Sequence, residues 1–291
     1  MIGGLLRTMR PQQWVKNLFV LAPVIYAQEL FDPRRVLGAA AGFGCFCLLA
    51  SAVYVLNDLM DVEADRAHPV KKNRPIASGA VSEGAAKVAL VVLAASAITG
   101  AWLLSPLFLA AAGGYLVNNI AYSFGLKRVA YLDVLSIAGG FELRVLAGAY
   151  AADVPPSAYL LVVTFLLATF LGLGKRMHEL VLYEKSGSAS SRKVLQQYSK
   201  SAVSVLLWIT GVATVGAYVI YTLDPHTREH FGTDFLVATS AFALFGVLRF
   251  VHLVRNRPDA ESPTEEMLRD APFLVNGLLG FVTLIAIIYW G

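Results

Sequence analysis

Apolar stretches of about 20 residues recur along this 291-residue chain. Each is long enough to cross a hydrocarbon core as a helix. No other feature constrains the fold as strongly, because a backbone in lipid must satisfy its own hydrogen bonds. Hydrophobic residues make up 57% and charged residues 15% of the chain, too apolar a balance for a soluble domain. The expectation is an all-α polytopic membrane protein folded as a single domain, residues 1–291. Nine spans are read, at about 13–30, 36–56, 85–104, 107–124, 132–151, 157–174, 202–222, 235–253 and 272–290. Ser105-Pro106 and Pro155-Pro156 mark two tight turns between them. Residues 1–10 have no apolar run ahead of a cleavage site, so no cleavable signal peptide is expected. Cys45 and Cys47 lie inside one apolar span, match no metal or redox motif, and read as packing residues.

Lysine and arginine set the orientation. With the N-terminus inside, the inner segments hold Arg7, Arg10, Lys16, Arg66, Lys71, Lys72, Arg74, Lys127, Arg128, Lys175, Arg176, Lys200 and Arg249, among others. The outer loops hold only Arg34, Arg35 and Arg228. The N-terminus is therefore expected in the cytoplasm of a cell with its multi-pass chain in the plasma membrane. The cations lie in inter-helix segments rather than in one basic patch, which excludes a nucleic-acid signature.

Asn57-Asp58-Leu59-Met60-Asp61-Val62-Glu63-Ala64-Asp65-Arg66 emerges from the second span. On a helix, Asp58, Asp61 and Asp65 fall at i, i+3 and i+7, within an arc of roughly 60°. Carboxylates this close repel unless a cation joins them. Oxygen ligands at this density suit Mg²⁺, which takes substrate phosphates as its other ligands. Asn57, Asp58, Asp61 and Asp65 are the candidate metal ligands. Lys71, Lys72 and Arg74 follow and could hold phosphate oxygens directly. Pro75 keeps Arg74 out of helical geometry, and Gly79 and Ser82 prepare the cap of the next helix. The competing reading of the whole stretch is a solvated loop.

Lys16 and Asn17 lie at the inner end of the first span. Lys16 either snorkels to the headgroups or meets a phosphate. Asn118, Asn119, Tyr122 and Ser123 give the fourth span a polar inner end, followed by Lys127 and Arg128. In the fifth span Asp133, Ser136, Gly140 and Arg144 form one stripe of roughly 80°, with Arg144 about 16 Å along the helix from Asp133. Arg144 belongs either to an intramembrane ion pair or to a polar cavity where it meets a phosphate. Glu142 points nearly opposite Asp133. His178 and Glu179 follow the sixth span. His178 is read as a surface residue, with acid, base or ligand roles as the alternative. Residues 186–191 read as a small-residue loop and residues 256–270 as a polar connector.

These residues carry a resemblance. Asn57 to Asp65 resembles the first aspartate-rich motif of the UbiA superfamily of intramembrane prenyltransferases, and Arg74-Pro75-Ile76-Ala77-Ser78-Gly79 fits it too. The resemblance covers essentially the whole chain and implies a nine-helix bundle with a polar cavity at the cytoplasmic face. Within the superfamily the chain most resembles the decaprenyl-phosphate phosphoribosyltransferase branch. That likeness rests on Arg10 to Asn17, Asp65 to Pro69, Tyr122 to Lys127, Gly140 to Arg144 and Gly174 to Arg176. Superfamily members carry a second motif, Asp-x-x-x-Asp, for a prenyl diphosphate donor. Here Asp133 is followed four residues later by Ile137.

The resemblance implies transfer of 5-phosphoribose from phosphoribosyl diphosphate to a polyprenyl phosphate, with Mg²⁺ on the leaving diphosphate. Asp58, Asp61 and Asp65 would be the catalytic carboxylates. Lys71 and Arg74 would bind the remaining phosphate oxygens. Lys127, Arg144 and Lys16 would hold the acceptor phosphate or the 5-phosphate, with Asn17, Tyr122 and Asp133 completing the substrate-binding set. The alternative enzyme moves a prenyl group from its diphosphate to an aromatic or other acceptor. A carrier or a lipid-binding scaffold is a third class. Apolar outer faces would serve lipid or a homo-oligomer equally well.

Overall fold

The computed structural model describes residues 2–186, 193–256, 263–267 and 269–291. Residues 187–191 of the expected small-residue loop, and residues 257–262 and 268 of the expected connector, lie outside these. All regular structure among the described residues is helical.

Eight helices are long and apolar enough to cross a membrane. They are α3 (Pro33–Met60), α5 (Glu83–Leu104), α6 (Pro106–Phe124), α7 (Leu132–Ala151), α8 (Ala158–Ser186), α9 (Lys200–Leu223), α11 (Ser240–Asn256, preceded by a 3-10 turn) and α13 (Ala271–Trp290). Shorter helices are α1 (Ile2–Met9), α2 (Ala22–Tyr26), α4 (Val62–Arg66), α10 (Pro225–Phe231) and α12 (Pro263–Met267).

The first expected span differs from a regular helix. Residues Pro11–Leu21 form a 3-10 segment, and α2 continues it. Pro23 lacks the N–H that an α-helix would need there. The segment is not among the eight helices long and apolar enough to cross a membrane, so eight of the nine expected spans are found among the described residues. The sixth span runs beyond its expected end at Gly174, because α8 continues to Ser186.

The chain forms two compact units. One comprises Met1–Phe124 with Gly140–Ser157, the other Gly125–Gly139 with Ala158–Gly291. The first packs α3, α5 and α6 around Phe46, Phe108 and Tyr115, with ring centroids of Phe46 at 5.8 Å and 5.2 Å from the other two. The second half of α7 approaches the 3-10 segment backbone to backbone. A Cβ on Gly148 would stand 2.0 Å from the Val20 carbonyl oxygen, so only glycine permits the contact. In the other unit Phe170, Leu207, Phe250 and Val254 are buried together. A Cβ on Gly174 would stand 2.3 Å from the Phe250 ring, so glycine lets α8 pass close to α11.

Caps match the local sequence. Asp32 accepts from Arg34 N–H at 2.8 Å, with Pro33 opening α3. Ser82 accepts from Ala85 N–H at 3.2 Å. Asp270 caps α13 and also pairs with Arg249 at 2.7 Å. The outward faces are apolar. Val88, Val91, Val92, Trp102 and Leu103 of α5 are exposed, as are Leu274, Val275, Leu278, Phe281 and Val282 of α13. Water would penalise so much continuous apolar surface, and lipid does not. The protein is a multi-pass membrane protein.

Candidate active site

The carboxylate run begins in the last turn of α3. That helix ends at Met60, and Asp61 turns out of it at φ −95°, ψ 6° before α4 begins. The spiral nevertheless carries through. Asp61 N–H donates to the Asn57 carbonyl at 2.9 Å, and Asp65 N–H to the Asp61 carbonyl at 2.8 Å. Asp58 and Asp65 therefore keep a common face, both 3% exposed.

Two arginines neutralise that face. Arg74 Nη1 lies 2.6 Å from Asp65 Oδ2 and 3.2 Å from Asp58 Oδ1. Arg74 sits on extended backbone at φ −62°, ψ 143°, as a residue before proline should. The second cation is Arg10, whose Nη2 donates to Asp58 Oδ1 at 2.7 Å and whose guanidinium lies 5.0 Å from the centre of the Tyr54 ring. Arg10 opens the Arg10–Asn17 motif, and only the fold brings it to the carboxylates. Its backbone is left-handed, at φ 53°, ψ 61°, a conformation that is uncommon for arginine and held here by its surroundings. Both arginine side chains are 29% exposed, so the cations face outward while the carboxylates are sealed.

Asn57 Oδ1 accepts from Ser123 Oγ at 2.8 Å. Asp61 is half-buried, and its carboxylate has no hydrogen-bond or ion-pair partner among the described residues. Among those residues no three acidic, histidine or cysteine side chains converge as a closed metal cage. The donors fit the mode in which Mg²⁺ uses one or two carboxylates and completes its shell with water and substrate phosphate. Lys71 and Lys72 are exposed nearby in sequence. A cavity of about 320 Å³ is lined by Gly3, Gly4, Arg7, Asn73 and Ser78.

Arg144 does not line that cavity. It is 6% exposed. Its Nε donates to Asn17 Oδ1 at 2.8 Å, its Nη1 to the Gly140 carbonyl at 2.8 Å and its Nη2 to Tyr115 Oη at 3.0 Å. Its guanidinium stacks 4.6 Å from the Tyr115 ring centre. No carboxylate pairs with it among the described residues, which removes the intramembrane ion pair as its explanation. Asn17 is wholly buried and also donates to Cys47 Sγ at 3.4 Å. Lys16 and Tyr122 are half-buried. Glu142 Oε1 is buried without a hydrogen-bond partner among the described residues.

The other unit holds Asp133 and Lys127. Asp133 is fully buried. Its Oδ2 lies 2.8 Å from Arg176 Nε, and its Oδ1 accepts from the Tyr198 hydroxyl. Arg176 also pairs with Glu179. Burial, and then the bond to Asp133, push the Tyr198 hydroxyl above its usual range, so it stays protonated. His178 is 1% exposed, which corrects its reading as a surface residue. The physical reason is the extension of α8, which carries Arg176, Met177 and His178 into the packed interior. Lys127 is half-buried in a single 3-10 turn, Leu126–Arg128.

Helices long and apolar enough to cross a bilayer, with clustered carboxylates and outward-facing guanidinium groups at one helix end, define a membrane protein with a charged site. The chain belongs to the UbiA prenyltransferase family, whose model matches residues 18–269. It is 34% identical to the decaprenyl-phosphate phosphoribosyltransferase of Mycolicibacterium smegmatis, over 100% of this chain and 94% of that protein. It is also 34% identical to the protein of the same name from Mycobacterium tuberculosis, over 100% of this chain and 96% of the relative. Among solved structures it resembles a UbiA homologue from Archaeoglobus fulgidus bound to GPP and Mg²⁺. The TM-score is 0.72 at 19% identity, covering 98% of this chain and 99% of that one.

Proposed function

We propose that this protein transfers 5-phosphoribose from phosphoribosyl diphosphate to a polyprenyl phosphate, releasing diphosphate, with Mg²⁺ as the cation. The observation that carries the reading is the arrangement of Asp58, Asp61 and Asp65 with Arg10 and Arg74: two sealed carboxylates and a half-buried one that has no partner among the described residues, beside two outward-facing guanidinium groups. Its support is the full-length likeness to relatives named for this reaction.

In the reaction the bond from ribose C1 to the diphosphate oxygen breaks, and one from C1 to a lipid phosphate oxygen forms. That oxygen is already ionised, so no residue need act as general base. From the set Asn57, Asp58, Asp61 and Asp65, one or two carboxylates would hold Mg²⁺, which would supply charge neutralisation to the leaving diphosphate. Arg74 and Arg10 bind diphosphate oxygens, with Lys71 beside them in sequence. Arg144 is a buried cation whose own neighbours leave it without an anion, and it takes a substrate phosphate, with Asn17 and Tyr115 orienting its fork. Lys127 and Lys16 are assigned to the remaining phosphate charge. Positioning and electrostatics supply most of the rate. The chain lies in the plasma membrane with its N-terminus and carboxylate cluster on the cytoplasmic side, where phosphorylated metabolites and Mg²⁺ are available.

The test supplies the purified protein with Mg²⁺, polyprenyl phosphate and one of two labelled donors, phosphoribosyl diphosphate or a prenyl diphosphate. Label from phosphoribose in the organic extract is the expected result. Label entering product only from the prenyl diphosphate would replace this reading with prenyl transfer.

A further inference from the structure

The turn that carries Lys127 is fixed by one short segment of the same unit. The backbone N–H of Ala130 donates to Gln197 Oε1 at 3.2 Å, and Gln197 Nε2 donates to the Arg128 carbonyl at 3.2 Å. The N–H of Tyr131 donates to Tyr198 Oη at 2.8 Å, and the Tyr198 hydroxyl donates to Asp133. The two tyrosine rings meet edge to face with centroids 4.8 Å apart. Tyr131 is held at φ 67°, a conformation a bulky side chain adopts only where its surroundings impose it.

The anchor beneath these bonds is buried. Asp133 accepts from Tyr198 and from its own Val134 N–H at 2.8 Å, and pairs with Arg176. Tyr198 thus joins a surface turn to an interior ion pair through a single hydroxyl that accepts on one side and donates on the other. A free turn would lose about 1–2 kcal/mol of backbone entropy per residue when a ligand ordered it. A turn ordered beforehand spares the ligand that cost.

We propose that Gln197 and Tyr198 are positioning residues for phosphate binding. They hold the backbone of residues 128–131, and with it the 3-10 turn of Lys127, in one orientation, with Asp133 and Arg176 as the anchor. Asp133, on this account, acts through Tyr198 and touches no substrate. The proposal rests on the phosphoribosyl-transfer reading, with Lys127 as a phosphate ligand.

The test compares the full-length protein with Lys127→Ala, Gln197→Ala and Tyr198→Phe, measuring kcat and KM for each substrate in turn. Lys127→Ala identifies the substrate whose KM depends on the turn. Tyr198→Phe and Gln197→Ala each remove two hydrogen bonds and are expected to raise that same KM by about 3- to 10-fold, with kcat nearly unchanged. Gln197→Glu keeps the acceptor for Ala130 and should recover part of the loss. A second readout is independent of turnover. Hydrogen exchange at the Ala130 and Tyr131 amides should quicken in Tyr198→Phe and Gln197→Ala while the rest of α7 stays protected. A raised KM in Lys127→Ala with no change in KM or amide exchange in the other two would overturn the positioning role. Unchanged KM values in Lys127→Ala, with transfer intact, would overturn the proposal and leave the reaction standing. Wild-type protein that transfers no phosphoribose would fail the underlying reading itself.

Discussion

Two clusters in this molecule are built from the same groups, arginine and aspartate, and differ in which partner is sealed. Around Asp58 and Asp65 the carboxylates are buried, but Arg10 and Arg74 are each 29% exposed. Around Asp133 the aspartate is 0% and Arg176 1% exposed, and Tyr198 and Glu179 fill the remaining positions. An ion pair sealed from solvent, as Asp133 and Arg176 are at 0% and 1% exposure, is closed to a ligand arriving from water and suits holding chain segments together. A pair whose cations open to solvent, beside a carboxylate with no partner, can exchange its contacts for a phosphate and a metal. Residue type is the same in the two clusters, and what differs is the exposure of the arginines and the half-buried Asp61 beside one of them.

The comparison can be broken most sharply at the sealed cluster. Arg176→Ala leaves Asp133 buried without its cation, which should cost about 3–5 kcal/mol of stability, seen as a large drop in melting temperature in detergent. A small drop would mean the cluster is wetter than its burial indicates. Arg10→Ala tests the open cluster. Asp58 keeps Arg74 at 3.2 Å, so the fold should survive, while a lost charge-assisted contact to the donor lowers kcat/KM by about 10- to 100-fold. A loss of stability without a loss of rate would make Arg10 a strut as well. Arg144→Met removes the buried cation that has no carboxylate. Melting should shift by only a few degrees, roughly the effect of 1 kcal/mol, while KM for one phosphate substrate rises about tenfold. A purely structural role for its hydrogen bonds to Asn17 and Tyr115 would instead show itself by collapse of the melting temperature with KM unchanged. The smallest effect is expected at the exposed pair Arg66–Glu63, where Glu63 is 82% exposed. Arg66→Ala should change stability by less than about 1 kcal/mol, measured in the same melts.

Much of the architecture was legible because apolar length is a local property, and eight of the expected spans are helical segments long and apolar enough to cross a membrane. The exceptions have local or distant causes. Pro23 breaks the first span, and a proline inside an apolar run was the available signal. The sixth span was cut short at Gly174 because Lys175, Arg176 and Glu179 read as its polar end. They continue the helix because Arg176 finds Asp133 and Glu179 inside the fold. The carboxylate face of Asp58 and Asp65 was readable from helical spacing, although the helix turns at Asp61. Arg10 was not, since its partner lies 48 residues away and a left-handed backbone before Pro11 leaves no periodic trace. For the same reason the stripe joining Asp133 to Arg144 described one helix correctly and said nothing of their partners, Arg176 for one and Asn17 and Tyr115 for the other.

The most direct measurement is the Mg²⁺-dependent transfer of labelled phosphoribose to polyprenyl phosphate by wild-type protein and by Asp61→Ala, with melting curves of both. Asp61 has no partner to lose among the described residues, so the variant should melt like the wild type while transfer falls by about 10²-fold or more and no longer responds to added Mg²⁺. An Asp61→Ala protein that keeps its activity and its Mg²⁺ dependence would contradict the claim that the open cluster is the metal and phosphate site.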